Sequence, residues 1–211
     1  LDGRMLERRW AVGMDAPMGA ALKGRRLYVS DIDRLVEIDT ASGKVTARWP
    51  APGGRFLNDV AVAADGRVLV SDSGTARIYA LGRDGLEVWL EDPRLRSING
   101  ILPEKGRLVI TTMAGHVLRV DYPGKAIREL AEGLGEGDGV ARLKDGAYLV
   151  GEWPGRLFHL SADGRLSTLI DSRAGETYIN DFVRVGDVVY VPHWRPGSLS
   201  AFRVLQPLQD R

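Results

Sequence analysis

One short phrase occurs five times along this chain of 211 residues. An apolar residue leads into Asn, Asp or a stand-in, then a strand-like run, a Gly turn and a second, more apolar run. The copies begin at Met18-Gly19, Asn58-Asp59, Asn99-Gly100, Asp138-Gly139 and Asn180-Asp181, a step of about 40 residues. A unit of that length made only of short strands cannot bury its faces alone and must stack on its neighbours, which is the signature of propeller blades. The expected fold is therefore all-β, a β-propeller, in a single domain over residues 1–211 with repeats starting near 18, 58, 99, 138 and 180.

Within a repeat the strands can be read off directly. The second repeat runs Asn58-Asp59-Val-Ala-Val, then Asp65-Gly66, then Arg67-Val-Leu-Val-Ser-Asp72. Asp-Gly supplies the positive φ that a tight hairpin needs, and the second strand is apolar throughout, as befits a strand covered on both faces. Third strands are expected at 35–39, 77–81, 117–121, 156–160 and 198–204. Fourth strands are expected at 44–49, 86–91, 127–131 and 166–170. No helix-length run with a 3.6-residue period interrupts them.

The opening Leu1-Asp-Gly-Arg4 followed by Met5 to Trp10 reads as a turn and then a fourth strand, so the sequence starts inside a blade. Two arrangements follow. A six-bladed propeller has its first blade largely absent from this chain, or a five-bladed closed propeller forms by pairing Met5 to Trp10 with the fifth repeat.

Composition removes several functions. The 29 basic residues nearly cancel 28 acidic ones, and no run of five like charges occurs, so no nucleic-acid partner is expected. With no cysteine there is no thiolate metal site, disulfide or Cys nucleophile. No apolar stretch approaches a membrane span, so no membrane partner is expected. The compartment stays open. The run Gly133-Leu-Gly135-Glu-Gly137-Asp-Gly139 misses the dinucleotide-loop spacing and precedes no helix. Asp31-Ile-Asp33 starts like a calcium loop, but Leu35 sits where the next ligand belongs.

Aligning the repeats places Met18, Asn58, Asn99, Asp138 and Asn180 at one position on the inner strands, around the central channel. Asn and Asp also cap and turn strand entries, so one such residue means little. Four on one ring point to a site lined with hard oxygen donors, suited to Ca2+ above all, or to Mg2+, Mn2+ or Zn2+.

The stretches Arg55-Phe-Leu-Asn58-Asp59, Ser97-Ile-Asn99-Gly100 and Gly137-Asp138-Gly139, each followed by a Gly-turn hairpin, resemble the regucalcin and gluconolactonase family of six-bladed propellers. The resemblance covers nearly the whole chain and favours the six-bladed arrangement. It implies a lactone or ester hydrolase with a divalent cation at the top of the channel. Asn99 and Asp138 would be metal ligands, and Asn58 and Arg55 would contact substrate. Beside the resemblance, the ring position of Asn180 makes it a further candidate to orient substrate, and Asp138 is the group expected to manage the proton. Leu57 is an extra residue within the Arg-Phe-x-Asn-Asp motif, and the family's Glu ligand from its first blade has no counterpart here.

The ends of the second strands return to the same face of the disc, so Glu152, Trp153, His193 and Trp194 are candidates to line a pocket for a small-molecule substrate. The two Trp could instead pack between blades. His116 and His159 fall on third strands, away from the channel, and Trp10, Trp49 and Trp89 on fourth strands, packing blade on blade. The rival reading is a non-catalytic, NHL-like propeller that binds a ligand or a protein partner on its top face.

Overall fold

The computed structural model describes residue 4 and residues 6–205 of the chain. Nineteen strands form five antiparallel sheets among them. The first blade comprises β1 (Pro17–Lys23), β2 (Arg26–Asp31), β3 (Arg34–Asp39) and β4 (Val45–Pro50). The second comprises β5 (Leu57–Val62), β6 (Val68–Asp72), β7 (Arg77–Leu81) and β8 (Leu86–Glu91). The third comprises β9 (Ile98–Glu104), β10 (Arg107–Thr112), β11 (His116–Asp121) and β12 (Ile127–Glu132). The fourth comprises β13 (Glu136–Arg142), β14 (Tyr148–Trp153), β15 (Arg156–Leu160) and β16 (Leu166–Asp171). The fifth has three strands, β17 (Val183–Val185), β18 (Val188–His193) and β19 (Ser198–Arg203). Among the described residues helix is confined to two 3-10 turns, Pro93–Leu95 and Arg173–Gly175, each leading toward the next inner strand.

The inner strands stand side by side in chain order, β1 on β5, β5 on β9, β9 on β13 and β13 on β17. The hairpin after each one turns on a glycine with positive φ: Gly24, Gly66, Gly106, Gly146 and Gly186. That conformation costs a side-chain-bearing residue about 1 kcal/mol or more. The second strands form the core. All of β6 is buried, as are most residues of β2, β10 and β14. Apolar clusters fill the spaces between blades. One packs Leu69 and Ile78 of the second blade against Leu95, Ile98, Leu108 and Ile110 of the third. Trp89 is buried in that cluster, and Trp49 stacks on Tyr28 with ring centroids 6.3 Å apart.

A polar latch repeats across three of the four seams between consecutive blades. It uses the hydroxyl one residue before the end of each second strand. Ser71 Oγ accepts the Asp59 N–H at 2.8 Å and donates to the Asn99 carbonyl of the next blade, also at 2.8 Å. Ser30 accepts from Gly19 and donates to the Asn58 carbonyl, and Thr111 accepts from Gly100 and donates to the Asp138 carbonyl. A hydroxyl is suited to this place because it can accept from one buried backbone group and donate to another. In the fourth blade the same position is Gly151, and the seam to the fifth blade has no such latch.

The structure corrects two expectations. Residues 6–10 form coil and a turn rather than a fourth strand, and the Trp10 carbonyl lies against Gly43 of the first blade, not against the fifth. Met5 lies outside the described residues. Closure of five blades by a strand over Met5 to Trp10 is thus not what the described residues show. In the fifth repeat, Asn180, Asp181 and Phe182 precede the short strand β17 rather than opening it.

Candidate functional site

In the first four blades the inner strand slips register at the repeated motif. The pairing jumps from Pro17 to Ala20, from Leu57 to Val60, from Ile98 to Ile101 and from Gly137 to Val140. Bulges of this kind re-aim side chains and are common beside functional sites. They give each blade two consecutive positions out of the ladder. The first holds Met18, Asn58, Asn99 and Asp138, with Asn180 at the matching place before β17. The second holds Gly19, Asp59, Gly100 and Gly139, with Asp181 matching.

At the first position the polar groups are tied so that one function of each stays uncommitted. The buried Asn99 donates its amide NH2 to the Gly137 carbonyl at 3.2 Å, leaving its side-chain carbonyl without a partner among the described residues. Asn58 donates to Ser73 Oγ at 3.2 Å, again leaving its carbonyl. Asn180 is held the other way round: its Oδ1 accepts the Trp194 N–H at 3.1 Å, and its NH2 is left over. The Asp138 carboxylate makes no hydrogen bond among the described residues, and its pKa is pushed up to about 7 by burial and then by the charge of Asp181.

The second position supplies a feature that motif reading passed over. Asp59 is buried and accepts N–H bonds from Val60 and, across the seam, from Ile101, both at 2.7 Å. Asp181 accepts only the N–H of its own neighbour Phe182. Both line a cavity of about 340 Å³ that runs toward the hairpin ends of the inner strands at Val62, Pro103 and Arg142; Asn58, Asn99, Asp138 and Asn180 are not among its lining residues. Burial, and then the charge of Asp181, raises the Asp59 pKa well above the ordinary carboxylate value, and burial raises Asp181 to about 6. A signal was present in the sequence: this position is Gly in three repeats and Asp in the other two. The glycines are needed for space. A Cβ on Gly139 would lie 2.5 Å from Asp181 Oδ1, and one on Gly19 would lie 2.6 Å from the Asn58 carbonyl oxygen.

The remaining candidates are held by the fold. Glu152 is buried, with its oxygens taken by Arg156 (Nε and Nη2, 2.6 Å each) and by the Gly135 N–H at 2.7 Å. Asp31 and Asp72 do the same at their blades, accepting the N–H groups of Asp15 and Ala16, and of Arg55 and Phe56. These second-strand ends therefore anchor the chain entering each inner strand. His193 serves similarly, with Nδ1 on the Tyr178 carbonyl and Nε2 on Ser200 Oγ. Arg55 is exposed, and the contact that fixes it is made by its backbone. Beside Asn180, Trp153, Tyr178 and Trp194 gather with centroids 5.0–6.4 Å apart, and Trp194 remains 73% exposed. At the wall of the 340 Å³ cavity Arg184 Nε is buried without a hydrogen-bond partner among the described residues.

Known structures share this architecture. The chain overlays the propeller of a nidogen/laminin complex with a TM-score of 0.75, at 20% identity over 89% of this chain and 76% of that one. It overlays regucalcin of Agrobacterium tumefaciens, described as a calcium-binding protein, with a TM-score of 0.73, at 17% identity over 91% and 72%. It overlays virginiamycin B lyase of Staphylococcus aureus with a TM-score of 0.65, at 15% identity over 90% and 71%. A family model described as outer membrane protein assembly factor BamB matches residues 3–89, and no curated protein sequence matches the chain. The chain is thus an all-β propeller with five blades among its described residues, and it matches six-bladed structures over most of its length.

Proposed function

We propose that this propeller is a metal-dependent hydrolase of the regucalcin and gluconolactonase type, opening a sugar or other small lactone or ester in its central channel. The observation that carries the reading is the Asp138 carboxylate, half-buried and without a hydrogen bond among the described residues, on the blade next to Asn99. A buried carboxyl group left unsatisfied is costly unless something compensates it. The donor set fits a hard divalent cation: one carboxylate, with the free side-chain carbonyls of Asn99 and Asn58 on the preceding blades. Such a cation, held by Asn99 and Asp138, would supply Lewis acidity toward the substrate carbonyl.

The protein's own groups account for the rest. Asn180 offers an N–H donor and Asn58 an acceptor, which together orient a polyhydroxylated or cyclic ester. Asp138, whose carboxylate has no protein partner among the described residues, accepts the proton of the attacking water and returns it to the ring oxygen as the acyl C–O bond breaks. The aromatic group of Trp153, Tyr178 and Trp194 forms an apolar wall beside Asn180.

Titration calorimetry with Ca2+, Mn2+ and Zn2+, alongside a panel of sugar and aliphatic lactones, tests the reading. Asp138→Ala is expected to abolish channel binding of the ion and to lower turnover at least about 100-fold. Absence of ion binding by the wild-type protein, or turnover that survives the substitution, would defeat it. The similarity to a propeller crystallised in a complex with laminin favours a second reading, a non-catalytic module that binds a protein partner. That reading predicts no turnover of any lactone with any added metal.

A further inference from the structure

Outside the channel, the third blade departs from its neighbours at one point near the outer edge of the disc. At the first residue of the third strand, the second and fourth blades carry Arg77 and Arg156. Each is bound to an acid, Arg77 to Glu91 at 2.9 Å and Arg156 to Glu152. In the third blade this residue is His116. It lies opposite Glu132, as Arg77 lies opposite Glu91. A second acid is added at Glu129, where the second and fourth blades have Val88 and Thr168.

Glu129 and Glu132 are three residues apart and would face opposite sides of a regular strand. The pairing of β11 with β12 steps from Val117–Ala131 to Leu118–Glu129, so Leu130 is an extra residue. That bulge turns both acids to the side of His116. His116 Nδ1 is 2.7 Å from Glu129 Oε2, and one ligand atom from each of the three residues lies within 4.8 Å of the others.

We propose that His116, Glu129 and Glu132 form a peripheral binding site for a divalent transition metal, Zn2+ in the first instance, separate from the channel and independent of the hydrolase reading. The chemistry distinguishes this blade from the others. A guanidinium has no lone pair to give and can only form an ion pair. An imidazole with two carboxylates is a borderline donor set that suits Zn2+ over Ca2+ or Mg2+. Zinc takes such ligands at about 2.0–2.2 Å. Small rotations of these solvent-facing side chains draw the three atoms in to that distance, with the imidazole in its Nε2–H tautomer so that Nδ1 presents its lone pair. A cationic side chain, Arg94, borders the same surface hollow with His116, Leu118, Ile127 and Glu129. Its guanidinium is held by both oxygens of Asp92, at 2.9 and 2.7 Å, and by the Ile127 carbonyl at 3.2 Å. Three protein ligands leave one tetrahedral position for water or for a group from another molecule.

The test is a Zn2+ titration of wild-type protein and of Asp138→Ala, which isolates the peripheral site from the channel. One equivalent is expected to bind to the Asp138→Ala protein, any second equivalent in the wild type belonging to the channel, with Co2+ substitution in Asp138→Ala giving the absorption bands of a low-coordinate nitrogen and oxygen site. His116→Arg rebuilds the arrangement of the second and fourth blades and is expected to keep its thermal midpoint. It should weaken Zn2+ binding at the peripheral site at least about tenfold, as should Glu132→Gln. Lactone turnover, if present, is unchanged in His116→Arg. Failure of the Asp138→Ala protein to bind Zn2+, or equal affinity in its His116→Arg derivative, overturns the proposal.

Discussion

The seam between the second and third blades and the seam between the fourth and fifth present the same two positions and use them differently. At the first seam, Ser71 bridges the Asp59 N–H to the Asn99 carbonyl, and the Asp59 carboxylate reaches across to the Ile101 N–H. At the second, the hydroxyl position is Gly151, and Asp181 bonds only to its neighbour Phe182. Burial follows the same contrast. Ser71 and Asp72 are fully enclosed, whereas Val183, Val185 and Leu199 of the fifth blade are 57–63% exposed. A hydroxyl in each of the first three blades, joined at the second by the Asp59 carboxylate, ties the stacked sheets together through buried polar bonds. At the seam without the latch, the blades are tied instead toward the outside, by Arg184 on the Arg142 carbonyl, the Lys144–Asp187 ion pair and the Ile179 N–H on the Pro154 carbonyl.

Three measurements would break or sharpen that contrast, the first having the largest expected effect. In metal-free protein the carboxyls of Asp59, Asp138 and Asp181 all have raised pKa values. The folded state therefore keeps protons that the unfolded chain has already released. Their stabilising contribution is whole below about pH 4 and is lost as pH rises through the folded values of about 6 and 7. Asp181→Asn removes one such group without breaking a bond across the seam. It should recover up to about 3 kcal/mol of stability at pH 8 and flatten the profile between pH 4 and 7, as read by denaturant midpoints. A profile unchanged by the substitution would mean that Asp181 is not a strained acid.

The next effect lies at the intact seam. Ser71→Ala leaves a buried N–H and a buried carbonyl without their shared partner, and should cost about 1–3 kcal/mol. A loss within experimental error would show that the latch is incidental to blade stacking. The smallest effect lies at the seam lacking it. A Cβ built on Gly151 would lie 3.4 Å from both the Gly139 nitrogen and the Asn180 carbonyl oxygen, the two groups a latch would join. Gly151→Ser should therefore stabilise by up to about 1 kcal/mol, provided that Phe182 Cε1, at 3.1 Å, gives by a few tenths of an ångström. Destabilisation would locate the obstacle at Phe182.

Much of the fold was legible in the residues themselves. The step of the repeat, the Asp-Gly turns and the apolar second strands placed nearly every strand to within a residue or two. These are local signals: a Gly at positive φ or an alternating run carries its own conformational preference. The opening segment has the composition of an edge strand, yet residues 6–10 are coil and a turn. Pairing depends on what lies beside a strand, and here Trp10 meets Gly43. The ring of Asn58, Asn99, Asp138 and Asn180 was visible as a column in the repeat. Asp59 and Asp181 stood one residue along and were passed over. Glu152 and His193 looked available, because a sequence does not show which partner, Arg156 or the Tyr178 carbonyl, already occupies a polar group.

By itself, then, the sequence determined the architecture, since strand length, turn chemistry and period act over a few residues and hold whatever the neighbours do. Only the tertiary structure decided which groups are left free. The bulges turn two consecutive residues of the motif out of the ladder in the first four blades, Ser30, Ser71 and Thr111 take up the buried backbone between blades, and the Asp138 carboxylate is left with no partner among the described residues. That outcome depends on atoms about 30–40 residues apart meeting at hydrogen-bond distance, a relation set by how the blades stack.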